Sequence, residues 1–283
     1  MHPQVDKIIL IDNTPINHGG VVENFSNISV EKILLKENRG IAAGHNIGIT
    51  WARKHDYSHV LLMDQDSIAA SDMVEKLTEA SVALKKKGKK VAAVGPNIID
   101  SRSGLPLAFV KQQKNFMRRV YCSNNEYIRV VHIISSGSLI QLKVLDEVGD
   151  MEEGLFIDSV DIEWGLRAGH KGFNCYAIGM AQLHHKLGDT VINSPLLGKR
   201  QVLVHGPVRY YYQFRNSIAL YKRPYTSVSW IVDDFFLHRC IKFILFVLTV
   251  PPRFKNASMM FRGTWHALIG VNGPYKSSSS SKK

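Results

Sequence analysis

Short apolar runs alternate with helix-like segments over the first third of the chain, and this alternation restricts the fold more than any other feature. Four runs have the length and side chains of buried strands: Val5–Ile11, Val30–Leu35, Val60–Met63 and Val91–Val94. Between the last two, apolar residues recur at helical spacing from Met73 to Leu84, with Ser71 as a candidate N-cap. Strands separated by helices or short connectors predict an α/β domain with a largely parallel sheet.

Two carboxylates lie one residue apart directly after the third apolar run. Asp64 and Asp66 point the same way, because side chains alternate along an extended chain. Outside the carboxyl end of a parallel sheet, two such groups can share a divalent cation with a diphosphate. The pattern fits equally well a solvated turn in which an aspartate caps the next helix, and by itself it does not decide between the two.

Three further segments each have two interpretations from the residues alone. The small residues from Gly40 to Gly48 let a helix begin close to a phosphate, or they let a helix pack tightly on a strand. If residues 156–168 form a helix, Asp158 and Asp161 share one face, and Asp158 could also serve as its cap. His185 follows a predicted strand, where a histidine is either a metal ligand or simply a hydrogen-bonded side chain.

The charge of the chain favours an anionic partner. Lys and Arg number 36 against 24 Asp and Glu, which gives a net charge of +12. Nucleic acid is disfavoured, because no recognition motif appears and no aromatic residues interleave with the Lys85–Lys90 run. No charged and apolar leader follows Met1, and the apolar run Phe243–Val250 is too short to span a bilayer, so we expect a cytoplasmic chain.

From Trp230 onward the chain is aromatic, apolar and basic together. An amphipathic helix of this kind fits the interface of an anionic bilayer, here the cytoplasmic face of the inner membrane. A helix that packs on the sheet domain would also carry apolar residues, so both interpretations stay open. The polar stretch 277–283 is predicted to be a disordered tail.

The polar motifs occur in an order that resembles bacterial family 2 glycosyltransferases of GT-A fold, and within them the rhamnosyltransferases. The resemblance covers the chain from about Val5 to Leu220. It rests on Asn38-Arg39-Gly40-x-Ala42-x-Gly44-x-Asn46-x-Gly48, Asp64-Gln65-Asp66-Ser67, Ser136-Gly137, Val160-Asp161-Ile162-Glu163-Trp164-x-Leu166-Arg167, His185-x-x-Gly188-Asp189 and Arg215-Asn216. It implies a Rossmann-like, mostly parallel mixed sheet flanked by helices, with a C-terminal helical extension.

The resemblance also implies a role for individual residues. Asp161 corresponds to the catalytic base, and a second set corresponds to acceptor-binding or positioning groups: Glu163, Trp164, Gly137 and Arg215. The nucleotide sugar would be held by Asp12, Asn38, Arg39, Gly40, Asn46, Asp64 and Gln65. Asp66, Asp64 and His185 correspond to the ligands of a divalent cation, Mg²⁺ or Mn²⁺.

The function implied is an inverting, metal-dependent transfer of a sugar, rhamnose from dTDP-rhamnose, to a cell-surface polysaccharide or a lipid-linked acceptor. Two alternatives remain: the same chemistry with another nucleotide sugar, or a truncated, non-catalytic protein that docks on membranes or partner enzymes. Residues 1–220 are expected to form the glycosyltransferase domain and 221–276 the helical extension. Family members usually begin with a strand and a helix ahead of the region matching Val5, so we expect a fragment, a shortened form or a differently built nucleotide pocket.

Overall fold

The computed structural model describes residues 4–16, 30–185, 190–193 and 201–276 of the chain. The chain forms two compact units: the first comprises Met1–Met151 and Asp161–Leu187, and the second comprises Glu152–Val160 and Gly188–Lys283. The domain bounds expected from the sequence stay a prediction, and the expected disordered tail, residues 277–283, lies outside the described residues.

The first unit alternates strands and helices as predicted. Its strands are β1 (Ile8–Asp12), β2 (Val30–Leu34), β3 (His59–Leu62), β4 (Ser67–Ala69), β5 (Val91–Asp100), β6 (Phe109–Gln113), β7 (Phe116–Val120), β8 (Tyr127–Val130), β9 (Ser138–Gln141) and β10 (Asn174–His185). Its helices are α1 (Ile41–Lys54), α2 (Met73–Lys86), α3 (Leu142–Val148) and α4 (Val160–His170), of which α4 takes its first residue from the second unit.

The largest described sheet is mixed, in the order β3-β9-β5-β10-β4, with β8 also paired to β10. Together with its flanking helices it agrees with the predicted fold class. Antiparallel pairs are nevertheless more numerous than predicted: only β5–β10 is parallel among its described pairs, because β9 lies between β3 and β5 in the opposite direction. A separate parallel pair, β1–β2, places the carboxyl ends of both strands at one edge.

Helix α2 packs its apolar side against β5 and β10. Met73 and Leu77 are fully buried, and they belong to one cluster with Val94, Ile178 and Leu183 of the two strands. Each such side chain contributes roughly 1.5–3 kcal/mol when it leaves water. The predicted helical spacing is therefore confirmed. The helix follows Asp72 rather than Ser71, and no side chain caps it.

One predicted strand boundary was wrong. The strand that begins at Val91 does not end before Gly95 and Pro96 but continues to Asp100. It does so because β10 changes register just after Ile178 pairs with Pro96, and such an irregularity accommodates the missing proline N–H. The stretch from Ser101 to Asn125 contains the hairpin β6–β7.

The second unit is mainly helical. It contains β11 (Thr190–Asn193), β12 (Gln201–Val204), α5 (Pro207–Tyr221), α6 (Val228–Val232), a π-helix (Asp233–Cys240), α7 (Ile241–Thr249) and α8 (Arg253–Leu268). Helices α5 and α8 approach closely at Gly263, where a Cβ atom would lie 2.3 Å from the carbonyl oxygen of Tyr211. No helix among the described residues is both long and apolar enough to cross a membrane.

Candidate active site

The acidic turn after β3 and the end of β10 come together in the first unit. Ser67, the first residue of β4, pairs with His185 in the antiparallel β4–β10 ladder. One ligand atom from each of Asp64, Asp66 and His185 lies within 4.8 Å of the other two. His185 Nδ1 is 3.5 Å from the Asp66 carboxylate. The structure thus brings together the three residues that the family resemblance implied as metal ligands.

The chemistry of this group suits a divalent cation. Carboxylate oxygens and a histidine nitrogen are ligands that Mg²⁺ or Mn²⁺ accepts. The side chain of Asp66 is 52% exposed, whereas that of His185 is 9% exposed. A fixed imidazole beside an open carboxylate can bind an ion that is shared with a ligand from solvent.

Asp64, Asp66 and His185 form the candidate metal-ligand group. Hydroxyl groups hold this group in place. Ser67 Oγ lies 2.7 Å from His185 Nδ1 and 2.6 Å from Ser136 Oγ. Ser136 Oγ also accepts a hydrogen bond from the backbone N–H of Asp64 at 3.3 Å. These contacts orient the histidine ring and the acidic turn together, as the outer partners of metal ligands commonly do.

Gly137 adjoins this network at the start of β9. Its backbone has a φ of 87°, and a Cβ atom would lie 2.6 Å from Pro96 Cγ and 3.1 Å from Leu183 Cδ2. Only glycine fits this position without strain or displacement of its neighbours. Of the two roles predicted for Gly137, its packing favours positioning of the 135–138 segment over contact with an acceptor.

Asp161 lies in the first turn of α4. Its Oδ1 accepts a hydrogen bond from the backbone N–H of Ile162 at 2.9 Å. With Ser135 and Ser138 it lines a small cavity in the first unit. The 135–138 segment therefore connects the predicted base to the metal-ligand group, because Ser136 of the same segment contacts Asp64.

Glu163, two residues further along α4, is fully buried. Its two carboxylate oxygens accept hydrogen bonds from Nε and NH2 of Arg167, both at 2.8 Å. The same guanidinium donates to the carbonyl oxygens of Val148 and Asp150, also at 2.8 Å. Arg53 of α1 holds the Asp150 carboxylate from the other side with bonds of 2.6 and 2.8 Å, and these bonds raise the pKa of Arg53. Both carboxylate oxygens of Glu163 are thus engaged by Arg167, which favours the predicted positioning role over contact with an acceptor.

Trp164 and Asn46 hold the same 148–151 segment. The indole N–H of Trp164 donates to the carbonyl of Gly149 at 2.8 Å, and the residue is 3% exposed. The amide of Asn46 on α1 both donates to and accepts from the backbone of Met151, with both distances 2.9 Å. For Trp164 this geometry favours positioning over acceptor binding. The amide of Asn46 is directed to Met151, where the resemblance implied a nucleotide contact.

Asn13 organises the loop that leads into α1. Its side chain donates to the carbonyl of Gly40 at 3.0 Å and accepts from the backbone N–H of Arg39 at 2.8 Å. Asn38 Oδ1 accepts from the N–H of Gly40, whose φ of 83° suits glycine. The predicted nucleotide-binding residues Asn38, Arg39 and Gly40 therefore form one ordered loop next to the end of β1.

The remaining predicted nucleotide contacts lie at strand ends. Asp12, the last residue of β1, is 8% exposed. Its Oδ1 accepts from the N–H of Thr14 at 3.0 Å, and Lys32 approaches its carboxylate to 3.9 Å. Gln65 is exposed at the tip of the acidic turn, between the two metal-ligand carboxylates. Gln65 is thus open to solvent, whereas the carboxylate of Asp12 is largely buried at the end of β1.

Comparison with known proteins decides the family. The family model described as "Glycosyl transferase family 2" matches residues 2–149. The chain belongs to glycosyl transferase family 2. It is also 30% identical over 246 residues, 86% of this chain and 80% of the relative, to the dTDP-rhamnosyl transferase RfbF of Shigella flexneri. The resemblance noted in the sequence is therefore confirmed, and the chain is a glycosyltransferase that uses a nucleotide sugar.

Solved structures show the fold of this glycosyltransferase. TarS 1–349 of S. aureus, in complex with UDP-GlcNAc, superposes with a TM-score of 0.51 and 11% identity over 94% of this chain and 72% of that chain. GalNAc-T7, crystallised with UDP, GalNAc and Mn²⁺, gives a TM-score of 0.50 and 14% identity over 79% of this chain. This chain spans 46% of the GalNAc-T7 chain. At these identities the likeness shows the GT-A fold alone.

Arg215 of the glycosyltransferase has a structural role in the second unit. It is 1% exposed, and its guanidinium donates to the carbonyl oxygens of Gly154, Leu155 and Gly273 at distances from 2.5 to 3.1 Å. Asn216 beside it donates to the carbonyls of the same loop. Of the two roles predicted for Arg215, this geometry favours positioning over contact with an acceptor, because its donors are engaged with backbone carbonyls.

The sequence reasoning missed several supporting residues. Asn13 directly follows β1, Ser67 begins β4 and Ser136 lies just before β9, and this placement near strand ends was the available signal. Asp158 was predicted to share a helix face with Asp161 or to cap that helix. In the structure it has a φ of 62° and its carboxylate accepts from Arg209 Nε at 3.3 Å. Backbone strain of this kind is characteristic of functional loops, but no sequence pattern reports it.

Proposed function

We propose that this family 2 glycosyltransferase moves rhamnose from dTDP-rhamnose, with inversion of configuration, to a saccharide or lipid-linked acceptor of a cell-surface polysaccharide. The grouping of Asp64, Asp66 and His185 is the observation that carries this proposal. Two carboxylates and an imidazole, contributed by segments more than a hundred residues apart, are arranged as a site for a divalent cation. A nucleotide-sugar diphosphate is the ligand that such an ion serves in this family.

The metal-ligand group would hold Mg²⁺ or Mn²⁺. When bound, the ion neutralises the charge that develops on the diphosphate as the glycosidic bond breaks. Asp66, the most exposed ligand, faces the solvent side, and Asp64 is held by its backbone hydrogen bond to Ser136. His185 is fixed by Ser67, so the site keeps its shape before the donor arrives.

Asp161 would act as the base. A carboxylate within hydrogen-bond reach of the acceptor hydroxyl takes its proton as the oxygen attacks the anomeric carbon. One attack from the face opposite the leaving diphosphate inverts the configuration. Glu163, Trp164 and Arg167 would keep Asp161 in position, because they fix α4 to the 148–151 segment.

The donor assignment is supported by the relative rather than by the site. RfbF is named a dTDP-rhamnosyl transferase, and it aligns over 86% of this chain. The loop of Asn38, Arg39 and Gly40 and the carboxylate of Asp12 would hold the nucleoside of the donor. A second candidate keeps the chemistry and changes the sugar, since TarS, of similar fold, was solved with UDP-GlcNAc.

The second unit would place the enzyme on the cytoplasmic face of the inner membrane. Large apolar side chains of its helices are exposed, and basic residues lie among them: Phe254, Phe261, Trp265, Leu268, Arg253 and Arg262. This combination favours the interface of an anionic bilayer. Sedimentation with phosphatidylglycerol vesicles tests it, and protein that stays in the supernatant would argue against membrane association.

A donor panel tests the catalytic proposal. The protein is incubated with dTDP-rhamnose, UDP-GlcNAc and other nucleotide sugars, with Mn²⁺ or with EDTA, and release of the nucleoside diphosphate is followed. We expect the fastest release from dTDP-rhamnose, and none in EDTA. Faster release from a UDP-sugar would favour the second candidate, and undiminished release in EDTA would refute the metal role. NMR of the anomeric proton of the product tests inversion.

A further inference from the structure

Charged side chains form a partly buried cluster within the second unit. Arg209 Nε donates to both carboxylate oxygens of Asp158 at 3.3 Å. Arg239 donates to the two oxygens of Asp234 at 3.2 and 3.0 Å, and the hydroxyl of Tyr221 donates to the same carboxylate at 2.7 Å. Each arginine is therefore neutralised by its own carboxylate.

Lys242 of α7 adds a third cation without a third carboxylate. Its Nζ donates to the amide oxygen of Gln213 at 2.6 Å and lies 5.2 Å and 5.4 Å from the ring centroids of Tyr210 and Phe246. Among the described residues, no carboxylate lies within ion-pair distance of this ammonium. Burial, and then the charge of Arg239, lower the pKa of Lys242 to about 8. The cluster thus holds one more positive charge than negative.

An unneutralised buried ammonium is costly, and an anion that bound beside it would offset part of that cost. The cluster is open on one side, since the Arg209 side chain is 39% exposed while that of Arg239 is 15% exposed. Arg209 also lies in the first turn of α5, where the helix dipole favours a negative ligand. The three cations Arg209, Arg239 and Lys242 together form the cationic cluster.

The helices that carry the cationic cluster also expose apolar side chains. These belong to the π-helix and to α7: Phe235, Phe236, Ile241, Ile244 and Leu248. The ring centroid of Phe235 lies 6.4 Å from that of Tyr221, whose hydroxyl donates to Asp234 in the charged cluster. Cationic groups on helices that also expose aliphatic and aromatic side chains match a molecule that has an anionic head and a hydrocarbon tail.

We propose that the cationic cluster binds the phosphoryl head of a lipid-linked acceptor, with the hydrocarbon chain against the exposed apolar side chains of the same helices. The proposal rests on the proposed function for the statement that this lipid carries the acceptor saccharide. The second unit would then bind one particular phosphorylated lipid, which is a more specific role than adhesion to a bilayer.

Binding of monododecyl phosphate to the intact protein tests this site. Calorimetric titration is carried out below the critical micelle concentration, in EDTA and without nucleotide sugar, so that the metal-ligand group does not contribute. Lys242→Met removes the charge and keeps the length of the side chain. Lys276→Met, an exposed lysine of the same unit, is the matched control, and Lys242→Arg tests retention of charge.

We expect Lys242→Met to weaken binding about tenfold or more, because it removes a charge-assisted hydrogen bond. Lys276→Met should change the affinity less than about twofold, Lys242→Arg should retain most of it, and uncharged dodecyl maltoside should not distinguish the variants. Circular dichroism melting verifies that each variant is folded.

Equal affinity in wild type and Lys242→Met, or an equal loss in Lys276→Met, would overturn the proposal. So would a wild-type protein that binds phosphatidylglycerol vesicles but not monododecyl phosphate, since the surface would then be a bilayer contact only. The titration contains no nucleotide sugar, so it tests this site separately from the reaction. If monododecyl phosphate does not bind but the protein still releases nucleoside diphosphate from dTDP-rhamnose, only this site is overturned. Normal lipid binding without turnover overturns only the proposed reaction.

Discussion

The two acidic motifs of this chain have the same spacing and opposite structural outcomes. Asp64 and Asp66 lie side by side in the turn after β3 and share a possible ion with His185. Asp161 and Glu163, also one residue apart, separate completely: Asp161 lines a cavity, whereas Glu163 is buried against Arg167. We propose that the first pair holds one ion together, and that in the second pair Asp161 serves the reaction while Glu163 supports the helix.

The difference follows from backbone geometry. The first motif forms a tight turn, in which the backbone N–H of Ser67 donates to the carbonyl of Asp64 at 3.3 Å, and this turn brings both carboxylates within reach of one ion. On a helix each residue turns by about 100°, so residues i and i+2 are on nearly opposite faces. A D-x-D or D-x-E pattern therefore predicts a shared site only after the secondary structure is known. Single substitutions in the two motifs, and in a serine that contacts His185, test this contrast between a shared site and a divided one.

Asp161→Asn should reduce turnover the most. Loss of a positioned base lowers the rate by between about 10² and 10⁴. The amide preserves the shape of the side chain, so stability and the rise in melting temperature on adding Mn²⁺ should stay as in wild type. Steady-state release of diphosphate from dTDP-rhamnose and thermal melting provide the two measurements. Wild-type turnover in this variant would move the base to another residue, and Asp158 would then be tested.

Asp66→Asn should reduce turnover because it weakens the affinity for the metal ion. Removing one charged ligand from a three-ligand group should cost roughly 10²–10³ in activity at low Mn²⁺, with partial recovery when Mn²⁺ is raised. Stability without metal should be unchanged, because the Asp66 side chain is half exposed. The matched control is Glu75→Gln, an exposed carboxylate of α2. Activity that does not depend on Mn²⁺ concentration in either variant would contradict a metal role for Asp66.

Glu163→Gln should affect stability more than chemistry. It leaves Arg167 buried with a neutral partner, and breaking a buried ion pair costs about 3 kcal/mol. Urea unfolding should show a lower midpoint than in wild type, while the exposed control Glu79→Gln should not. Below the unfolding transition kcat should fall less than in Asp161→Asn. A stable variant with a hundredfold lower kcat would instead assign Glu163 a direct part in the reaction.

Ser67→Ala should give the smallest of these effects. It removes the hydroxyl that contacts both His185 and Ser136, and loss of such an outer partner typically weakens metal affinity 10- to 100-fold. The apparent activation constant for Mn²⁺ should rise while kcat at saturating metal changes little. Ser71→Ala, an exposed serine outside this network, serves as the control. An equal change in both variants would remove Ser67 from the metal site.

Much of the first unit could be predicted from its residues. The apolar spacing of α2 and the strands that begin at Val30 and Val91 follow from local pattern, and their existence is confirmed. The antiparallel insertion of β9 could not be predicted, because pairing depends on contacts between segments distant in sequence. For the same reason Pro96 was taken as a strand end, although the register change in β10 accommodates it.

The candidate active site, too, could be predicted only in part from the sequence. The family resemblance implied Asp64, Asp66 and His185 together, while the residues alone left His185 open until the β4–β10 pairing placed it beside Ser67. The resemblance implied a nucleotide contact for Asn46 and an acceptor-binding or positioning role for Arg215. Both side chains bind backbone carbonyls, and only coordinates distinguish a side chain that holds a loop from one that contacts a ligand.

The segment from Val148 to Met151 acts as a joint between two helices. Arg53 and Asn46 reach it from α1, and Trp164 and Arg167 reach it from α4. Exchanging α1 for that of a relative, in order to change nucleotide preference, would therefore also loosen the helix that carries the proposed base. A chimera would keep its rate only if the incoming helix brought the same asparagine and arginine.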